Sequence, residues 1–78
     1  MSRYTTTVSM KNDSVIRLGK AIKRVREQKK MSQGDICRAT GFDRAYMSNI
    51  EAGKGNPTLV TIEKISDALG VSMSQLLK

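Results

Sequence analysis

The stretch SQGDICRATGFDRAYMSNIE, from Ser32 to Glu51, constrains the fold more than any other part of the chain. Ser32 and Asp43 each precede a helical pattern, and both residue types accept hydrogen bonds from the open N–H groups of a first helical turn. Asp35, three residues after Ser32, resembles the acidic half of a capping box. Gly41 stands where a helix ends in a left-handed residue. The spacing predicts two helices of roughly two turns each, joined by a short glycine turn. Two such helices cannot lie antiparallel and must cross steeply. Ile36, Cys37 and Thr40 form the inward side of the first helix. Met47 and Ile50 form the inward side of the second, and Phe42 is an apolar residue in the turn itself. Arg44, Ala45, Ser48 and Asn49 are left facing outward.

The flanks read as support. Ser14 is a cap for the first helix, with Asp13 beside the positive helix end. Leu18, Ile22 and Val25 recur at i, i+4 and i+7, with Ala21 on the flank, which predicts an amphipathic helix to about Lys29. After the central pair, Gly53–Pro57 (GKGNP) is a turn cluster. Thr58 then caps a helix whose apolar stripe is Leu59, Ile62, Ile65 and Leu69, ending at Gly70. Ser72 and Gln75 repeat a capping-box spacing before a last short helix. Residues 1–13 show no helical period and are expected to form a flexible arm or a short extended strand. The expected architecture is all-α: five helices in a compact bundle over residues 14–78, with no strand.

Composition excludes several classes of function. Aromatic residues make up 4% of the chain, so a core this small must be aliphatic. One cysteine, Cys37, rules out an internal disulfide or a cysteine-rich metal site. The absence of histidine removes the commonest acid–base group and metal ligand. With no paired carboxylates and no nucleophile motif, an enzyme is not expected, nor is a cofactor or small-molecule ligand. No apolar run is long enough to cross a bilayer. The opening MSRYTTTVSMKND lacks a hydrophobic signal region, so a reducing, cytoplasmic location is expected.

The charge is unevenly placed. The chain carries 14 basic and 7 acidic residues, a net +7. Residues 31–78 hold five of each sign, so the whole excess lies in residues 1–30, where Lys20, Lys23, Arg24, Lys29 and Lys30 cluster. Such asymmetry suggests a polyanionic partner; the alternative is a solvated lysine-rich helix face.

A protruding helix of this width fits the major groove of double-stranded DNA. Arg44 suits the two acceptors of a guanine edge, and Asn49 suits an adenine edge. Ser48 is small and adaptable, and Ala45 offers a methyl-sized contact to thymine. Arg44 also stands at the positive end of its helix, a poor place for a cation, which hints at function.

These motifs carry a resemblance. From Leu18 to about Leu77 the chain resembles the XRE family of helix-turn-helix proteins, which includes the Cro and phage-repressor DNA-binding domains. The likeness rests on the basic KRVREQKKMSQ run, on GFDRAYMSNIEAGKGNPT, and on VTIEKISDALGVS with its Leu76-Leu77 ending. It implies a lambda-repressor-like fold. It also implies base contacts at Arg44, Ala45, Ser48 and Asn49, and phosphate contacts at Gln33, Lys54, Gly55 and Asn56. Gln33 would also brace the second helix of the pair. Arg26 and Glu51 would form an internal pair, structural first, and the arginine could also face phosphate. Tyr46 would either donate to phosphate or flank the core. The Arg44-Ala45-Tyr46 start, with Ser48, looks like the restriction–modification controller subgroup.

Two departures stand out. Gly34 and Asp35 replace the family's glutamate-rich helix start, and glycine there weakens the helix by roughly 1 kcal/mol relative to alanine. It could also let backbone approach phosphate closely. Cys37 replaces a small alanine at a helix–helix contact and reads as a small apolar residue.

The expected function is sequence-specific transcription regulation by a homodimer on a palindromic operator, since one module makes few base contacts. Val71, Met73, Leu76 and Leu77 are the expected dimer interface, unless they only close the monomer core. Met31, Met47 and Met73 need no explanation beyond packing. The alternatives are an antitoxin-type regulator that also binds a protein, and a non-specific architectural DNA binder.

Overall fold

The computed structural model describes residues 12–77. They form α1 (Asn12–Gln28), α2 (Gln33–Thr40), α3 (Arg44–Glu51), α4 (Leu59–Leu69) and α5 (Met73–Leu77), with no strand among the described residues. The arm expected over residues 1–13 lies outside them apart from Asn12 and Asp13, which are already helical. α1 therefore starts earlier than Ser14 suggests. Ser14 sits in its first turn, where its hydroxyl accepts from Arg17 Nη2 at 3.5 Å, and it does not cap the helix.

The other helix starts follow local chemistry. Ser32 Oγ accepts from Asp35 N (3.0 Å) while Asp35 Oδ2 accepts from Ser32 N (2.8 Å), a complete capping box. Asp43 Oδ1 accepts from Tyr46 N at 2.7 Å, and Thr58 Oγ1 from Thr61 N at 3.1 Å. In α5 only the reciprocal half of the box forms, from Ser72 N to Gln75 Oε1 at 3.0 Å. Gly41 and Gly70 end α2 and α4 in the left-handed conformation. α1 ends the same way without a glycine: Lys30 has φ 58°, and the following N–H, of Met31, bonds back to Arg26 O at 3.0 Å.

All five helices contribute to one aliphatic core. Leu18, Ile22 and Val25 of α1 meet Ile36, Met47, Ile50, Ile62, Ile65, Leu69 and Leu76 from the other four. α3 packs on α1 and α2, and α2 packs in turn on α4. The α1–α3 contact is backbone against backbone at Gly19. A Cβ there would overlap the carbonyl oxygen of Ile50 and lie 2.7 Å from that of Glu51. A second close approach holds the start of the α3–α4 loop: Gly53 has φ 78°, and a Cβ there would lie 2.8 Å from Ile16 Cγ1.

Two apolar expectations change. Leu59 is 56% exposed. The buried arc of α4 comprises Thr61, Ile62, Ile65, Ser66 and Leu69, and Leu59 lies roughly a quarter turn off its middle. Leu76 is 1% exposed and belongs to the monomer core, so it is not available to a dimer interface. Val71 and Met73 are half-buried against the same core, and only Leu77, 43% exposed, presents a large apolar side chain outward at this end.

Candidate nucleic-acid interface

α3 carries two interleaved faces. Met47 and Ile50 are buried, while Arg44, Ala45, Ser48 and Asn49 are all exposed. The helix ends in a paired turn: Gly53 N donates to Ile50 O at 3.1 Å and Lys54 N to Asn49 O at 2.9 Å. The backbone of exposed Lys54 is thereby tied to the backbone of Asn49. Gly55 and Asn56 are exposed beside it, and Pro57 is buried where the loop returns to the core.

A polar brace holds the same end of α3 from behind. Arg26 Nε donates to Glu51 Oε2 at 2.7 Å, and Arg26 Nη2 to Glu51 Oε1 at 3.0 Å. Arg26 Nη1 donates to Met31 O at 2.8 Å, and Gln33 Nε2 to Glu51 Oε1 at 3.1 Å. One carboxylate thus joins α1, the start of α2 and the end of α3. Its side chain is 4% exposed, so water does not compete for these bonds. The hydrogen bond to Glu51 holds the Arg26 guanidinium above its ordinary range, and the arginine stays charged. Gln33, half-buried at the edge, uses one amide proton on Glu51 and has a second to offer.

Tyr46 has partners that the sequence did not indicate. Its hydroxyl lies 3.0 Å from Thr61 Oγ1, which also accepts from Thr58 Oγ1 at 3.2 Å. Its ring meets Phe42 edge to face at a centroid distance of 5.0 Å, and Lys64 Nζ sits 5.9 Å from the Phe42 centroid. The ring flanks the core, and part of the hydroxyl's capacity is already used. Residues 46, 58 and 61 share no local pattern, so only the fold reveals this chain of hydroxyls. Gly19 is equally silent in sequence, because its reason is a distant backbone.

Lys20, Lys23 and Arg24 are exposed on α1, and Lys29 is exposed just past its end. Arg44 and Glu51 are the charged residues of α3 itself, so that helix is formally neutral. At the start of α2, Asp35 pairs with Arg38. The hydrogen bond from the Ser32 backbone is the leading cause that holds the Asp35 carboxyl below its ordinary value of 3.8.

Two short helices, the second outward-facing and braced from behind, define a helix-turn-helix module. The chain belongs to the helix-turn-helix family HTH_3, which matches residues 22–76, and it is a DNA-binding transcription regulator of the XRE type. It is 44% identical over 66 residues to the control protein C.MunI of a Mycoplasma species, covering 83% of this chain and 89% of that protein. The restriction-modification controller C.AhdI of Aeromonas hydrophila superposes with a TM-score of 0.78 at 30% identity, over 82% of this chain and 97% of that one. The controller C.Esp1396I, solved as a tetramer in complex with its natural 35-base-pair operator, superposes with a TM-score of 0.70 at 30% identity, over 82% and 95%. These relatives are transcription regulators. No described helix is long and apolar enough to cross a membrane.

Proposed function

We propose that this chain acts as a controller-type regulator that binds a palindromic operator as a twofold dimer, inserting α3 of each copy into the major groove. The observation that carries this reading is the division of α3 into a buried face and four exposed residues on a helix anchored through Glu51. Arg44 and Asn49 read base edges, with Ser48 and Ala45 between them. Gln33, Lys54, Gly55 and Asn56 meet phosphates on either side and fix the register. Tyr46 contributes a phosphate contact through whatever hydroxyl capacity Thr61 leaves. The α1 cations supply attraction that does not depend on sequence. Val71, Met73 and Leu77 form the contact between copies. The DNA-binding domain spans residues 14–78 together with the first turn of α1. Its role is binding rather than catalysis, in the cytoplasm where its DNA is. Likeness to control proteins, one of them solved on its operator, supports this reading.

The test is selection of bound duplexes from a random pool, followed by footprinting. A palindromic consensus is expected. Arg44→Ala should weaken that site by about 1–3 kcal/mol and relax preference at one base pair per half-site. Equal loss on consensus and random duplexes would make Arg44 a phosphate contact. Equal affinity of the unaltered chain for all duplexes would favour an architectural binder.

A further inference from the structure

Gly34 lies in the first turn of α2, and its surroundings belong to two arginines. A Cβ built there would lie 3.5 Å from Arg38 Nη1, 3.5 Å from Ser32 Oγ and 3.6 Å from Arg44 Nη1. These are ordinary contact distances, so the space admits a side chain. The backbone at Gly34 is not left-handed either. Neither sterics nor conformation demands glycine, and glycine weakens an eight-residue helix. What it does is leave Arg44 without a neighbour that could hold it. The ion pairs among the described residues are Arg26–Glu51 and Arg38–Asp35. Arg38 already has its carboxylate, and Arg44 does not.

We propose that residue 34 is a specificity-determining position that acts through Arg44: glycine leaves the Arg44 guanidinium uncommitted on the α2 surface, so that it extends to a base edge, whereas a longer acidic side chain would retain it. The inference rests on the reading of α3 as the base-reading helix. Charge sets the direction. A carboxylate at position 34 falls within ion-pairing reach of Arg44 and must be displaced before the guanidinium can bridge two acceptors on a base. Alanine makes only ordinary contact with Arg44 and carries no group that could hold its guanidinium. Gly34 itself need not touch DNA; it is a positioning residue.

The test uses Gly34→Ala, Gly34→Gln and Gly34→Glu, each alone and combined with Arg44→Ala, after thermal melts establish that each variant folds. Without DNA, the introduced carboxylate is titrated by NMR. Its midpoint should lie lower with Arg44 present than in the Arg44→Ala background, by about half a pH unit or more. Equal midpoints overturn the contact. With DNA, binding to the duplex enriched by the unaltered chain is compared with binding to random duplex at one salt concentration. Gly34→Ala should bind the enriched duplex within about twofold of the unaltered chain. Gly34→Glu should bind it about tenfold or more weakly than Gly34→Gln, with lost preference at the base pair that Arg44 reads. That ratio should collapse in the Arg44→Ala background. A ratio that persists there means simple repulsion of phosphate and overturns the proposal. If no duplex is enriched, the base-reading role fails and this proposal fails with it, while the DNA-free titration reports separately on the contact.

Discussion

Glu51 accepts three side-chain hydrogen bonds in a site where it is 4% exposed, and the register of α3 depends on them. Glu51→Gln removes the charge and leaves Arg26 buried and uncompensated, which should destabilise the fold by about 3 kcal/mol in urea unfolding. Replacing Arg26 and Glu51 together with methionine should cost much less than the sum of the single changes. Asp35 acts in a different pH range. Its native value is depressed, so its contribution is complete above its ordinary value of 3.8 and is lost as pH falls through the lower native value. Unfolding midpoints of the unaltered chain and Asp35→Asn should therefore converge on acidification, and a constant gap would refute the role of this carboxylate. The pairing of Arg26 with Glu51 was legible through family resemblance alone. Nothing local links two residues 25 positions apart, and the fourth partner, Met31 O, is a backbone atom with no sequence signal.

At the scale of elements, helix ends were the most legible part of the chain. Ser32, Asp43, Thr58, Gly41 and Gly70 act within one turn of themselves, so residue type and spacing suffice to locate them. The first start departs from the expectation because Ser14 has capping chemistry but lies in a helix that begins two residues earlier. Leu59 departs from the expected stripe because an apolar period does not show where the buried arc ends: Thr61 and Ile62 of the same first turn are buried, and Leu59 falls beside them, off that arc. The outward residues of α3 followed from period alone, whereas the nearness of Gly34 to Arg44 depends on how two helices cross. The α1–α3 crossing also makes a strong prediction. Gly19→Ala adds a methyl group where α3 carbonyls already sit, so the helix must shift. This should cost about 1–3 kcal/mol of stability and lower affinity for the selected duplex more than for random duplex. Unchanged affinity would mean that α3 tolerates displacement.

For the whole molecule, the C-terminal end separates folding from association. Leu76→Ala should cost about 2–5 kcal/mol, since it empties a fully buried site. Leu77→Asp should leave the thermal unfolding of the monomer nearly unchanged while sedimentation shows a weaker dimer. If Leu77→Asp associates normally, the copies meet elsewhere. Another consequence follows from the turn that closes α3. Surface loops ordinarily accept inserted residues at little cost. Here the Lys54 N–H bonds to Asn49 O, Gly53 rests on Ile16, and buried Pro57 fixes the far end. On the proposed reading, the turn from 50 to 53 works as a rigid spacer between Asn49, assigned to a base edge, and Lys54, assigned to a phosphate. Among chains that share this reading head, its length should vary less than its composition, because one inserted residue would put the two contacts out of step along the duplex.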